Sequence, residues 1–170
     1  TAYEISLGLV GSEMCIRDRS ISHRIHDFVG KVTDTNKRIN HYSGVSEHVL
    51  KVGTLVWRWT DDSNKEHQFN IPNSYYDPYG GRRLLSPQHW SKEYKKKTGM
   101  QACTFTYDDK VVMTWGNNKY CKTTYLDNNA NVATMYILPS IKPFDAFIRV
   151  YKRKHEEHLH AIACTLDKKG

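Results

Sequence analysis

KVGTLVWRWTDDSNKEHQFNIPNSYYDPYGGRRLLSPQHW, Lys51 to Trp90, holds a hairpin, a return strand and a helix start in one uninterrupted stretch. Val52, Leu55, Val56, Trp57 and Trp59 are side chains that pack on a pleated surface. Asp61-Asp62-Ser63-Asn64 is a polar turn, so His67 to Tyr76 is the expected return strand. Pro72 has no N–H to give a ladder and is tolerated there only at an edge or a bulge. Asp77-Pro78-Tyr79-Gly80-Gly81 ends the strand. Ser86 can accept an orphan backbone N–H as an N-cap, Pro87 fits the first helical position, and Gly99 suits the residue past the end. The spacing predicts a helix over Pro87 to Thr98.

The same reading extends outward in both directions. Ser20 to Phe28 alternates Ile21, His23 and Ile25 with polar partners, and Val29-Gly30 is expected to break it. Arg38 to Tyr42 and His48 to Trp59 read as strands separated by Ser43-Gly44. Beyond the helix, Ala102 to Tyr107 and Val111 to Trp115 form a hairpin across Asp108-Asp109-Lys110. Tyr120 to Leu126 and Val132 to Leu138 form another pair around Asp127 to Asn131. Many short strands at this spacing indicate an all-β sandwich or barrel with one helix. Phe144 to Tyr151 fits a strand or a helix start equally well.

Bulk properties narrow the classes. A chain of 170 residues has room for one domain with a real core. No apolar run approaches the roughly 20 residues of a membrane span. Cys15, Cys103, Cys121 and Cys164 form no C-x-x-C pair, which fits free thiols in a reducing compartment. The formal charge of +7 is gathered partly in Lys92–Lys97 and Lys152–Lys154; the first cluster reads as the solvated face of the helix.

Gly53-Thr54-Leu55, Tyr76-Asp77-Pro78 and Leu84-Leu85-Ser86 together resemble the protease segment of copia-type retrotransposon gag-pol polyproteins. The longer LLSPQHW, Leu84 to Trp90, is similar to the version carried by elements of diatoms and other algae. The likeness covers about Ile21 to Pro139. It implies a retropepsin-like closed barrel acting as an intracellular homodimer in a virus-like particle, on a polyprotein substrate and without a cofactor or metal. Each subunit of such an enzyme gives one Asp from an Asp-Thr/Ser-Gly turn. The two carboxylates share a proton, since like charges about 3 Å apart cannot both ionise cheaply, and activate a water. A flap over the substrate is implied at Gly53 to Phe69, with Gly53, Thr54, Leu55 and Trp57 lining flap and cleft.

The resemblance places the catalytic turn just upstream of Ile21-Ser22-His23. There the chain carries TAYEISLGLVGSEMCIRDR, Thr1 to Arg19, which resembles a translated sequencing-adapter peptide. The expected organisation is therefore a non-native leader at 1–19, a protease domain at 20–140 truncated before its catalytic Asp, and a basic, His-rich extension at 141–170. Asp18 then stands near the right place only by accident. Asp34-Thr35-Asn36 is the internal candidate for the catalytic turn, although the family register puts it in the loop leading to the flap. Asp61-Asp62 and Asp108-Asp109 read as solvated turns. His155, His158, His160 and Cys164 are zinc-ligating types without metal-site spacing, so no metal is expected. Two alternatives stand beside the protease reading. One is a basic β-barrel binding nucleic acid, with Trp57, Trp59, Tyr75 and Tyr76 as stacking platforms; the other is an inactive, truncated element product.

Overall fold

The computed structural model describes residues 3–7, 18–39, 48–129 and 132–138. Its strands are β1 (Tyr3–Leu7), β2 (Ile21–Ser22), β3 (Phe28–Ile39), β4 (His48–Thr60), β5 (Glu66–Tyr76), β6 (Arg83–Leu85), β7 (Cys103–Thr106), β8 (Lys110–Trp115), β9 (Tyr120–Tyr125) and β10 (Thr134–Ile137). One helix, α1 (Pro87–Thr98), lies between β6 and β7, and a 3-10 turn, Ile25–Asp27, precedes β3. The fold is all-β with one short helix. No helix among the described residues is long and apolar enough to cross a membrane.

The local signals translate directly. Ser86 Oγ accepts from His89 N, Pro87 opens α1, and Gly99 takes a left-handed φ of 73° while its N–H reaches Lys95 O. Lys95, Lys96 and Lys97 sit in the last turn, where cations meet the negative end of the helix dipole. In the β4–β5 ladder Gly53 pairs with Ser74 and Leu55 with Ile71, so Thr54 alone opposes Pro72 and Asn73. Pro72 therefore sits at a bulge, where its missing N–H breaks no ladder bond, and Asn73 supports it with a φ of 57°.

Longer-range pairing departs from the expected scheme. Val29-Gly30 does not break the chain. β4 offers a continuous template, so β3 runs on through register shifts on either side of Thr33-Asp34, with Gly30 at a φ of 73°. β9 and β10 are not a hairpin: β9 pairs with β8, β10 pairs with β1, and one bridge, Leu126 to Ala133, links their ends. Tyr3–Leu7, set outside the fold on sequence grounds, is a strand lying antiparallel to β10 and parallel to β6.

Two sheets result, one ordered β10-β1-β6-β2-β5-β4-β3 and the other β7-β8-β9. Among the described residues the expected closed barrel is not seen. The larger sheet curls until Leu138 N donates to Arg58 O at 2.7 Å, and among the described residues that isolated bridge is the only backbone pairing between the end of β10 and β4.

Alternation along β4 sends Leu55, Trp57 and Trp59 inward to meet Phe69 and Ile71 of β5, Trp90 of α1, Val111, Met113 and Trp115 of β8, and Met135 and Ile137 of β10. Trp59 stacks on Phe69 with ring centroids 4.0 Å apart and meets Trp115 edge-on at 6.4 Å. The core thus spans both sheets and the helix. Thr1–Ser140 is one compact unit; the remainder, Ile141–Gly170, lies outside the described residues, with the His155, His158, His160 and Cys164 cluster and the segment Phe144 to Tyr151.

Trp59→Ala is expected to cost about 3–5 kcal/mol, read as a lowered midpoint in urea. Trp59→Phe should cost far less, because the indole N–H it removes has no acceptor in the core.

Candidate functional site

Ser20 is the junction below which a catalytic turn is expected, and it is completely buried. Its carbonyl accepts from Tyr75 N at 2.9 Å, its N–H donates to His89 Nδ1 at 3.2 Å, and its hydroxyl accepts from Ser86 N at 3.1 Å. One residue thus ties the start of β2 to β5, to the end of β6 and to the first turn of α1. His89 serves as an acceptor, which requires its neutral form, and burial is the main cause that holds it below its ordinary pKa of 6.5.

A second polar lock follows at once. Ser22 Oγ donates to Asp27 Oδ2 at 2.5 Å, and Asp27 accepts from Arg83 Nε at 2.6 Å and Nη2 at 3.1 Å. Asp27 and Arg83 are 7% and 6% exposed, so this bidentate pair replaces lost hydration with directed, charge-assisted bonds. It fastens the 3-10 turn to β6. The sequence contains no spacing signal for it, since the partners are 56 residues apart.

Beside this junction rises a two-stranded arm. β5 ends where Tyr76 pairs with Lys51, while β3 and β4 continue together through Arg38–Val49 to Ile39–His48. At the root of the arm, Leu50 and Val52 of β4 pack with Ile21 of β2 and Tyr75 of β5 in a small core separate from the main one. Val29, Val49 and Ile25 are exposed.

The residues singled out on sequence grounds are scattered. Asp34 lies within strand β3, between two register shifts and not in a turn; its side chain is 78% exposed and its carboxylate is 3.5 Å from Lys51 Nζ. Gly53 is required by packing: a Cβ would stand 2.9 Å from Val32 Cγ1 and 3.0 Å from Phe28 Cδ1. Thr54 is half-buried at the bulge. Leu55 and Trp57 belong to the main core, at 0% and 1% exposure, because alternation points them inward; their side chains line no cleft. Burial also removes Trp59 and Tyr75 as stacking platforms, and Tyr76 is held edge-on against Phe28 at 5.7 Å.

The β4–β5 hairpin, Gly53 to Phe69, is anchored rather than free to close. Asp62 N donates to Cys121 O at 2.9 Å, and Asp62 Oδ1 accepts from Thr123 N at 3.0 Å, so the turn plugs the edge of β9. Asp61, expected in a solvated turn, is 4% exposed. It accepts from Ser63 N, Lys65 N and His67 Nε2, and the His67 bond is the main cause that depresses its pKa. His67 Nδ1 in turn receives Trp115 Nε1–H at 3.4 Å, linking the two sheets. Among the described residues no group of His, Cys, Asp and Glu could hold a metal, and Cys103 and Cys121 are free thiols.

Compared with protein-family models, curated proteins and solved structures, the chain gives no match.

Two outcomes are expected at the junction. Asp27→Ala breaks the buried ion pair with Arg83 and removes the acceptor of Ser22, and should cost about 3–5 kcal/mol in denaturant unfolding. His89 binds its proton more weakly folded than unfolded, so its share of stability is present above about pH 6.5 and falls as pH drops toward the folded pKa. The melting temperature should decline on acidifying from pH 7.5 to 5.5, with a shallower decline in His89→Gln.

Proposed function

We propose that the chain is the substrate-binding frame of a retroviral-type aspartic endopeptidase subunit, cut off before the turn that carries its catalytic Asp, and that the β3–β4 arm is its flap. The observation that carries this reading is the small core of Ile21, Leu50, Val52 and Tyr75. It joins the segment that follows the expected Asp turn to the root of a projecting two-stranded arm, so that a carboxylate placed upstream of Ile21 would stand at the foot of that arm.

Further support comes from the rigidity of the junction. A catalytic carboxylate must be held within a fraction of an ångström, and Ser20 and Ser22 are fixed by buried hydrogen bonds to three other elements. The arm is also the one hairpin suited to closure. Among the described residues β4 beyond Lys51 has β3 alone beside it, whereas the β4–β5 hairpin holds core tryptophans and is pinned to β9. An extended peptide under the arm would pair through its backbone and place alternate side chains against the exposed Ile25, Val29 and Val49. Hydrolysis would need a second subunit to supply the other carboxylate of the dyad. Asp34 takes no part in this scheme, since it lies along β3 of the arm and not in a turn upstream of Ile21.

The test replaces residues 1–19 with a strand and an Asp-Ser-Gly turn joined in frame ahead of Ser20. The engineered chain should cleave extended peptides at acidic pH, with a rate rising as the square of protein concentration while dimers are scarce. Asp34→Ala in that background should leave the rate unchanged, and mutation of the restored Asp should abolish it. A folded engineered chain with no cleavage at any concentration overturns the proposal.

A further inference from the structure

The outer face of the β7-β8-β9 sheet has no role in the reading above, and its composition is unusual. Val111, Met113 and Trp115 of β8 point into the core, so Lys110, Val112 and Thr114 point outward. Register puts Phe105 beside Val112 and Tyr125 beside Lys110 on that outward side. Tyr107 N closes the hairpin onto Lys110 O at 2.8 Å, and the Lys110 ammonium lies 5.5 Å from the centre of the Tyr107 ring. Phe105, Tyr107 and Tyr125 are 46%, 50% and 67% exposed. Three aromatic rings on one small sheet face are thus left in water.

Charge at the rim says what would cover them. Asp108 and Asp109, exposed in the β7–β8 turn, have carboxylates that make no hydrogen bond or ion pair among the described residues. Among the described residues Lys110 is the one cation on the face, and it already lies over an aromatic ring. Tyr125, on the other side of Lys110, has an open face of its own. A ring quadrupole attracts an ammonium or guanidinium, most of all next to uncompensated carboxylates, while the same carboxylates repel phosphates. Nucleic acid is therefore the wrong partner for this surface, even on a chain of formal charge +7.

We propose that this face docks an extended, arginine- or lysine-bearing peptide segment of a separate polypeptide. Its cations would lie over Tyr125 and Tyr107 and approach Asp108 and Asp109, and its backbone would rest on Phe105. The site is independent of the proposed protease cleft and would bind whether or not a catalytic Asp precedes Ser20.

The test is fluorescence anisotropy of a labelled octapeptide alternating arginine and glycine, titrated with the full chain. The peptide should bind saturably and more weakly as salt rises, and its counterpart with glutamine for arginine should not bind. Tyr107→Ala and Tyr125→Ala should each weaken binding about two- to fivefold, the range expected of one exposed cation–π contact. Tyr→Phe at either position should retain it. Asp108→Asn with Asp109→Asn should weaken it further. All four positions are exposed, so circular dichroism of each variant should match the parent. Equal binding of the glutamine peptide, indifference to the four positions, competition by oligothymidylate, or concentration-dependent self-association that blocks the face would each overturn the proposal.

Discussion

Everything in this molecule leans on the inward row of β4. Leu55, Trp57 and Trp59 come from one strand, yet their contacts reach β5, α1, β8 and β10. Burying large side chains contributes about 1.5–3 kcal/mol each, and here several aromatic rings also meet in stacked or edge-on geometry. Because β4 is the longest strand and lies beside β3 and β5, a slip of one residue would turn the whole row outward and expose it. The bulge at Pro72-Asn73 is confined to the end of the ladder nearer the arm. It alters the register there without disturbing Trp57 opposite Phe69.

Polar groups act where the hydrophobic row does not reach. Around Ser20 and Asp27, beside the small core of Ile21, buried hydrogen bonds fix the path of the chain. Such bonds are directional, so they set position more narrowly than packing does, at the cost that losing either partner leaves the other unsatisfied. The Asp61–His67–Trp115 chain does the same between the two sheets. Asp62 plugs the β9 edge that would otherwise offer its backbone to another strand. Together these contacts make the β4–β5 hairpin part of the frame and leave the β3–β4 arm as the projecting element.

Signals carried by neighbouring residues were legible. The Ser86-Pro87 start and Gly99 end of α1, the polar turn after Trp59, the β7–β8 hairpin and the need for an irregularity at Pro72 all follow from chemistry within a few residues. Legibility failed where partners are distant. Alternation showed that Leu55, Trp57 and Trp59 share a face but could not say whether that face meets a core or a cleft. Asp61 looked like a solvated turn residue because its burial comes from His67 and from the packing around it. Asp34 looked like a candidate for a tight turn, and only its pairing with Lys51 makes it an exposed strand residue.

By itself, then, the sequence determined the class of the fold, the places where the chain turns and the ends of its helix, since these depend on backbone preferences and on hydrogen bonds that close locally. Tertiary structure decided which strands became neighbours, that β10 crossed to the larger sheet, and that the arm and not the tryptophan hairpin projects beside Ser20. Those outcomes rest on contacts between residues tens of positions apart. The gain from each such contact depends on whether the others form, and no periodicity or spacing along the chain records that dependence.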